Sequence, residues 1–346
     1  MKLQEGIEFD GKGTIEFSTS GKPHRTSYSF YRGENTTFYP TDEDFASDKI
    51  IEIISNGMPK TPIIDRSSNI VVFGSCFAEH IGVQLSEAGY KVSTKKDSIA
   101  HISMIGDGIV NTFAVLQQFQ WAWQGISPKV ELWHDYDAKA LGYDEEIRIA
   151  TRAILDETDA FIITLGLSEI WYDEPTGEVF WRAVPANKFD AARHKFRTAS
   201  VKENSDNLRK IVALINEYRP GAKIILTLSP IPLTATFRPM SCMVANGYSK
   251  ASLRCAIEEV INEKGVYYFP AYELVQSCFR NQYMEDRRHI HTHPIRFMMD
   301  MFMKYFCGKD VDLLASFRRS QKKDRIVGTD GHWVFTRPNL KYSKKP

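Results

Sequence analysis

The 346-residue chain has little of what would place it in several large functional classes. No stretch approaches the ~18 apolar residues of a membrane span, so no spanning helix is expected. Met1-Lys2-Leu3-Gln4-Glu5 lacks the apolar core of a signal peptide, and none is expected. Charge bias is also missing. Lys and Arg total 44 against 43 Asp and Glu, a formal net charge of +1, so no global field favours nucleic acid or an acidic membrane. The five cysteines, Cys76, Cys242, Cys255, Cys278 and Cys307, are odd in number and widely spaced. Without a CxxC pair they suggest neither a structural zinc site nor a disulfide framework. Internal repeats and a low-complexity core segment are absent. The expectation is a cytoplasmic protein with reduced thiols, no membrane span, no nucleic-acid partner and no cofactor.

What is present is a globular composition, 43% hydrophobic and 25% charged, which excludes disorder of the whole chain. Residues 1–64 hold short β-like runs (Gly13 to Ser18, Ser27 to Tyr31) among Gly, Pro, Asn and Asp breakers. They read as an N-terminal extension packed on a main domain at 65–307. Residues 308–346, rich in Lys and Arg, read as a solvated, partly loose basic C-terminal tail. Between these ends strands and helices alternate. Apolar runs at Asn69–Phe73, Ala160–Thr164, Lys223–Thr227 and Val266–Phe269 predict buried strands. Helices are predicted at Phe77–Gly89, Ile109–Trp123, Val201–Tyr218, Tyr248–Lys264 and Pro294–Phe306, the last capped by Thr292. The alternation implies a parallel sheet covered on both faces. Ligands bind such sheets at the edge formed by the strand C-termini, so functional residues are expected just after each strand.

Gly74-Ser75-Cys76 follows the first strand. A nucleophile there sits on a tight turn at a helix N-terminus, where the helix dipole favours a developing thiolate or alkoxide. The competing reading is a small-residue turn with a buried cysteine. Gly166-Leu167-Ser168-Glu169 follows the second strand and offers backbone N–H groups and a hydroxyl to an oxyanion, or else an ordinary helix cap. After the fourth strand comes Asp286-Arg287-Arg288-His289, in which the Asp can orient the His as a base; a surface charge cluster is the alternative. His289, His291 and His293 alternate and raise a metal site, but Thr292-His293-Pro294 reads as a helix start, and no metal is expected. Lys250 and Arg254 share a helix face, either to bind an acidic substrate group or, more simply, as a solvated face.

These blocks resemble a known family. Phe73-Gly74-Ser75-Cys76-Phe77-Ala78-Glu79 carries the Gly-Ser-Cys-Phe-Ala signature of the GSCFA family. The likeness continues through Thr164–Trp171, Thr227–Leu233, Ala245–Arg254 and Tyr268–Glu273 to the Asp286–His289 turn, covering roughly residues 66–306. GSCFA proteins look like members of the SGNH (GDSL-type) esterase and acyltransferase superfamily, which implies a three-layer α/β/α sandwich with a central parallel sheet. The resemblance puts Cys76 at the nucleophile position, with Ser75 next to it as the alternative, and Asp286 and His289 at the acid and base. It puts Ser168 where the superfamily pattern has an Asn. The oxyanion glycine falls at Gly106 or Gly108, with Gly166 and Ser168 as further donors.

The function these expectations imply is an esterase or O-acyltransferase working through a covalent acyl-enzyme on a small-molecule or glycan acyl ester. Glu169, Trp171, Asn246 and Lys250 are candidate substrate-binding residues. The alternative is a non-catalytic carbohydrate-binding or assembly protein on a degenerate SGNH scaffold, favoured by the Cys and Ser departures and by Trp171, Tyr172 and Trp181 near the expected edge.

Overall fold

The structure, a computed structural model, describes residues 2–3, 13–19, 22–28, 37–74, 76–93, 100–101, 109–135 and 138–330; for 2–28, Cys76 and 327–330 it describes the backbone alone. The chain divides into two compact units, 1–57 and 58–346. In the first, β1 (Lys2–Leu3), β2 (Gly13–Thr19) and β3 (Lys22–Tyr28) form an antiparallel sheet in that order. The strand expected at Ser27–Tyr31 begins earlier, because β3 pairs with β2 from Lys22↔Thr19 to Tyr28↔Gly13. Helices α1 (Asp42–Ala46) and α2 (Ile50–Ser55) follow. Thr41 and Asp44 start α1 with a reciprocal capping box, which satisfies two N–H groups that a helix leaves unpaired. The division falls before residue 64. The Ile63 and Ile64 N–H groups both donate to the Phe306 carbonyl at 2.9 Å, so this segment belongs to the second unit.

The second unit is built on five parallel strands: β4 (Asn69–Phe73), β5 (Lys91–Val92), β6 (Ala160–Leu165), β9 (Lys223–Leu228) and β10 (Val266–Tyr268). Their order across the sheet is β10-β9-β6-β4-β5. Every residue of β6 is buried, as a central strand covered on both faces requires. The edge strands are the short ones, which limits unpaired backbone at the sheet margins. From β4 the chain goes to β5 on one side, then returns to β6 on the other. That reversal opens a crevice at the C-terminal ends of β4 and β6, where doubly wound sheets bind ligands.

Helices cover both faces, giving the three-layer α/β/α sandwich. On one face Val71, Phe73, Phe161, Ile163, Leu165, Ile224 and Leu226 join one core cluster. That cluster also includes residues of α4 (Thr112–Gln124), α5 (Glu145–Glu157), α6 (Val201–Tyr218) and α7 (Cys242–Glu258). Each such large apolar side chain contributes about 1.5–3 kcal/mol on burial. On the other face lie α3 (Cys76–Glu87), α8 (Ala271–Cys278) and α9 (Thr292–Tyr305). Phe269, just past β10, meets the rings of Phe302 and Phe306 at 5.1 and 5.6 Å. The bounds of α6 match the sequence reading because its cap is local: Ser200 Oγ accepts from the Glu203 N–H at 3.1 Å, and the Glu203 carboxylate accepts from the Ser200 N–H at 2.9 Å.

Further features differ from the sequence expectations. Helix α7 begins at Cys242, capped by Ser241, and ends at Glu258. Asn246-Gly247, a turn-forming pair, lies inside it because Asn246 Oδ1 accepts the Leu233 N–H at 3.1 Å. A two-stranded antiparallel sheet, β7 (Glu169–Asp173) with β8 (His194–Thr198), follows β6. The tail expected to be loose contains α10 (Leu313–Asp330). Its Phe317 is fully buried and meets Phe297 of α9 at 5.0 Å, and its Ser320 hydroxyl donates to the His293 carbonyl at 3.0 Å. The apolar residues Leu313 and Phe317 outweigh the Lys and Arg that dominate the composition.

Candidate active site

The turn after β4 depends on a glycine. Gly74 has φ +147, and a Cβ built on it would lie 2.8 Å from the Ala78 and Thr164 Cβ atoms and 2.9 Å from the Thr164 carbonyl oxygen. Side chains essentially never make contacts that close, so the chain can pass β6 here only without a side chain. Cys76 is the first residue of α3. Its backbone N–H belongs to the first turn, where a helix leaves donors without intrahelical partners. Ser75, Gly106, Gly108 and the Cys76 side chain lie outside the described residues.

The residues after β6 are held in place by helix α7. Ser168 is 0% exposed. Its N–H donates to Ser249 Oγ at 2.7 Å, and its hydroxyl meets the same oxygen at 3.3 Å. The Gly166 N–H donates to the Val110 carbonyl at 3.0 Å. Two of the expected oxyanion donors are therefore engaged within the protein. Lys250, next to Ser249, is not the solvated surface residue that its helix position suggested. It is 3% exposed, and its Nζ donates to the Gly166 carbonyl at 2.8 Å. Burial, reinforced by the positive charge of Arg288, pulls its ammonium down to about 7.

The Asp286–His289 pair, the candidate acid and base, sits at the tip of a hairpin. Tyr283 and Ile290 form an antiparallel bridge, and the Met284 N–H donates to the His289 carbonyl at 2.8 Å. Arg287 turns the tip with φ 57. The Asp286 carboxylate accepts from the N–H groups of Arg288 at 3.0 Å and His289 at 2.9 Å, and it pairs with His289 Nδ1. Partial burial works against ionisation, but these bonds overcome it and hold the carboxyl at about 2. The hairpin is tied to the segment leaving β9: Tyr283 Oη donates to the Pro230 carbonyl at 2.9 Å, and Arg288 Nε to that of Pro232 at 3.4 Å. It is tied to α10 as well. Asp324 accepts from the N–H groups of Arg280 and Asn281 at 3.0 and 2.9 Å and meets His293 Nε2 at 3.1 Å.

The other candidates scatter along the rim. Glu169 accepts the Thr236 hydroxyl at 2.8 Å, and burial raises its pKa. Trp171 packs among Phe189, Phe196 and Phe237. Asn246 is engaged by Leu233, as above. Trp181 is fully buried and stacks on Trp133 at 4.3 Å, so it presents no ring at the edge. His293 faces Asp324 while His289 faces Asp286, and no group of three His, Cys, Asp or Glu that could hold a metal occurs among the described residues. Nor is any helix among them long and apolar enough to cross a membrane.

Sequence reasoning missed Ser249, Arg288 and Asp324 as supports of the site. No local pattern marks them, because their partners are 81, 56 and at least 31 residues away.

A parallel α/β sheet with a side-chain-free turn and a helix N-terminus at its switch point, and an Asp–His pair on a hairpin tied to the segment leaving β9, defines an α/β protein with a candidate site at its strand ends. The chain belongs to the GSCFA family, whose model matches residues 69–302, from β4 into α9. No curated protein matches it.

Proposed function

We propose that the chain is an SGNH-like esterase or O-acyltransferase that acts on a small-molecule or glycan acyl ester through a covalent acyl-enzyme. The observation that carries the reading is the Asp286–His289 pair. The carboxylate occupies Nδ1 and fixes the tautomer, which leaves Nε2 to exchange a proton with a nucleophile. In this reading Nε2 takes the thiol proton of Cys76, and the thiolate attacks the ester carbonyl. The Cys76 N–H and Gly108 donate to the oxyanion. His289 returns the proton to the departing alkoxide, and water or a sugar hydroxyl then takes the acyl group. Ser75 is the alternative nucleophile.

Turnover of p-nitrophenyl acetate tests the proposal. Wild type is expected to form an acyl adduct that peptide mass spectrometry maps to Cys76, with turnover lost in Cys76→Ala and His289→Ala. Turnover no faster than that of His289→Ala defeats the esterase reading. A fluorophosphonate adduct on Ser75 with an unreactive Cys76 transfers the role to the serine.

A second reading, a binding or assembly module without catalysis, draws on the engagement of Ser168 and Gly166 within the protein. It predicts ligand binding unaffected by His289→Ala.

A further inference from the structure

Lys250 has a placement that packing alone does not explain. Its ammonium carries three donors. One reaches the Gly166 carbonyl at 2.8 Å, and no carboxylate among the described residues lies within ion-pair distance of it. Holding a charge in the interior without a counter-charge is destabilising by several kcal/mol. A clamp on one carbonyl needs only one donor, which a neutral amide provides without that penalty. The excess positive charge lies beside the segment that leaves β6, two residues past Thr164, whose atoms close around Gly74.

We propose that Lys250 is a catalytic residue of the esterase or acyltransferase reaction, donating from its ammonium to the oxyanion of the tetrahedral intermediate. The inference rests on the proposed function. It answers the substitution at Ser168, which stands where the superfamily pattern has an amide and whose hydroxyl is engaged by Ser249. The ammonium keeps its proton throughout and only donates a hydrogen bond, so the proton cycle stays between His289 and the nucleophile. The developing oxyanion supplies a negative charge that no described residue places beside Lys250 in the ground state. This is stabilisation realised chiefly in the transition state.

The surrounding charges leave this role to Lys250. Arg288, on the hairpin, acts on it with like charge. Asp286 and His289 pair with each other. Glu169 is held by Thr236 and faces Arg238. Arg254, one turn along α7, is engaged by Glu258 and Glu273. Arg209 of the adjoining α6 pairs with Asp206 on the same helix and with Glu259 at the end of α7.

The test is the pH dependence of kcat for p-nitrophenyl acetate in wild type, Lys250→Arg and Lys250→Met. An ammonium donor makes wild-type kcat fall on the alkaline side as Lys250 loses its proton, around its value of about 7. Lys250→Arg stays charged and is expected to keep its activity through that range. Lys250→Met is expected to lose about 10²–10³-fold in kcat, as removal of one oxyanion donor does. Wild-type kcat in Lys250→Met overturns the proposal. So does a loss in Lys250→Met beside a wild-type profile with no alkaline fall, which identifies a structural clamp. If neither variant folds, the wild-type profile decides alone, and an absent alkaline fall is the refuting result. An inactive wild type with no acyl adduct defeats the esterase reading and this inference with it, whereas an active wild type with an indifferent Lys250 defeats only the inference.

Discussion

Gly74→Ala probes the turn most directly. The added methyl meets two kinds of resistance. The first is conformational: φ +147 is a backbone setting that side chains disfavour by about 1–3 kcal/mol. The second is steric, because contacts of 2.8 Å to Ala78 and Thr164 and 2.9 Å to a carbonyl oxygen force the turn away from β6. Overpacking of this kind costs about 1–3 kcal/mol. The carbonyl belongs to a central strand and cannot rotate aside, so the two terms add to about 2–6 kcal/mol. At about 2 °C per kcal/mol, the low end for large domains, the midpoint falls by about 4–12 °C. All six tryptophans lie beyond residue 57, so tryptophan fluorescence during heating follows the second unit alone. A midpoint within about 1 °C of wild type refutes the argument that Gly74 is held by close approach. A further expected effect is slower iodoacetamide reaction at Cys76, since the start of α3 must shift with the turn.

Asp286→Asn tests the Asp286–His289 pair. The folded carboxyl lies below its ordinary value, at about 2, so the pair's contribution is complete above the unfolded value and disappears as the pH falls through about 2. The side chain is 45% exposed, so solvent screening limits the contribution to under about 1 kcal/mol. Urea midpoints of variant and wild type should differ slightly near neutral pH and converge in acid; a gap that widens in acid contradicts the assignment. Asp324→Ala should destabilise the second unit by about 3–5 kcal/mol, as breaking a buried pair does, and should lower kcat of the proposed esterase by loosening the hairpin. Equal thermal midpoints refute the pinning role. Native alkylation should label exposed Cys255 and spare Cys278 and Cys307, whose thiols burial raises to about 12. Rapid labelling of Cys278, read by peptide mass spectrometry, contradicts its burial.

The strands were legible because a central parallel strand must be apolar on both faces, and Ala160–Leu165 leaves no other reading. Helix α6 was legible to the residue because Ser200 and Glu203 carry its start within one turn. Helix α7 was not. Its Asn246-Gly247 pair has the chemistry of a turn, and only the distant Leu233 N–H stabilises it inside a helix. Helix α10 was hidden for a related reason. Phe317 anchors a segment whose basic composition suggests solvent, and its ring partner Phe297 lies on α9.

The same division runs through the site. The Gly74-Ser75-Cys76 turn and the Asp286–His289 spacing are local chemistry, and the sequence by itself determined both, together with the parallel sheet that orders them. Only the tertiary structure decided which donors remain available. It turned Ser168 toward Ser249 and the Gly166 N–H toward Val110, and it buried Lys250 against the Gly166 carbonyl. Periodicity reports which face of an element is apolar. Whether a polar atom is engaged depends on a partner that folding brings from a distant part of the chain.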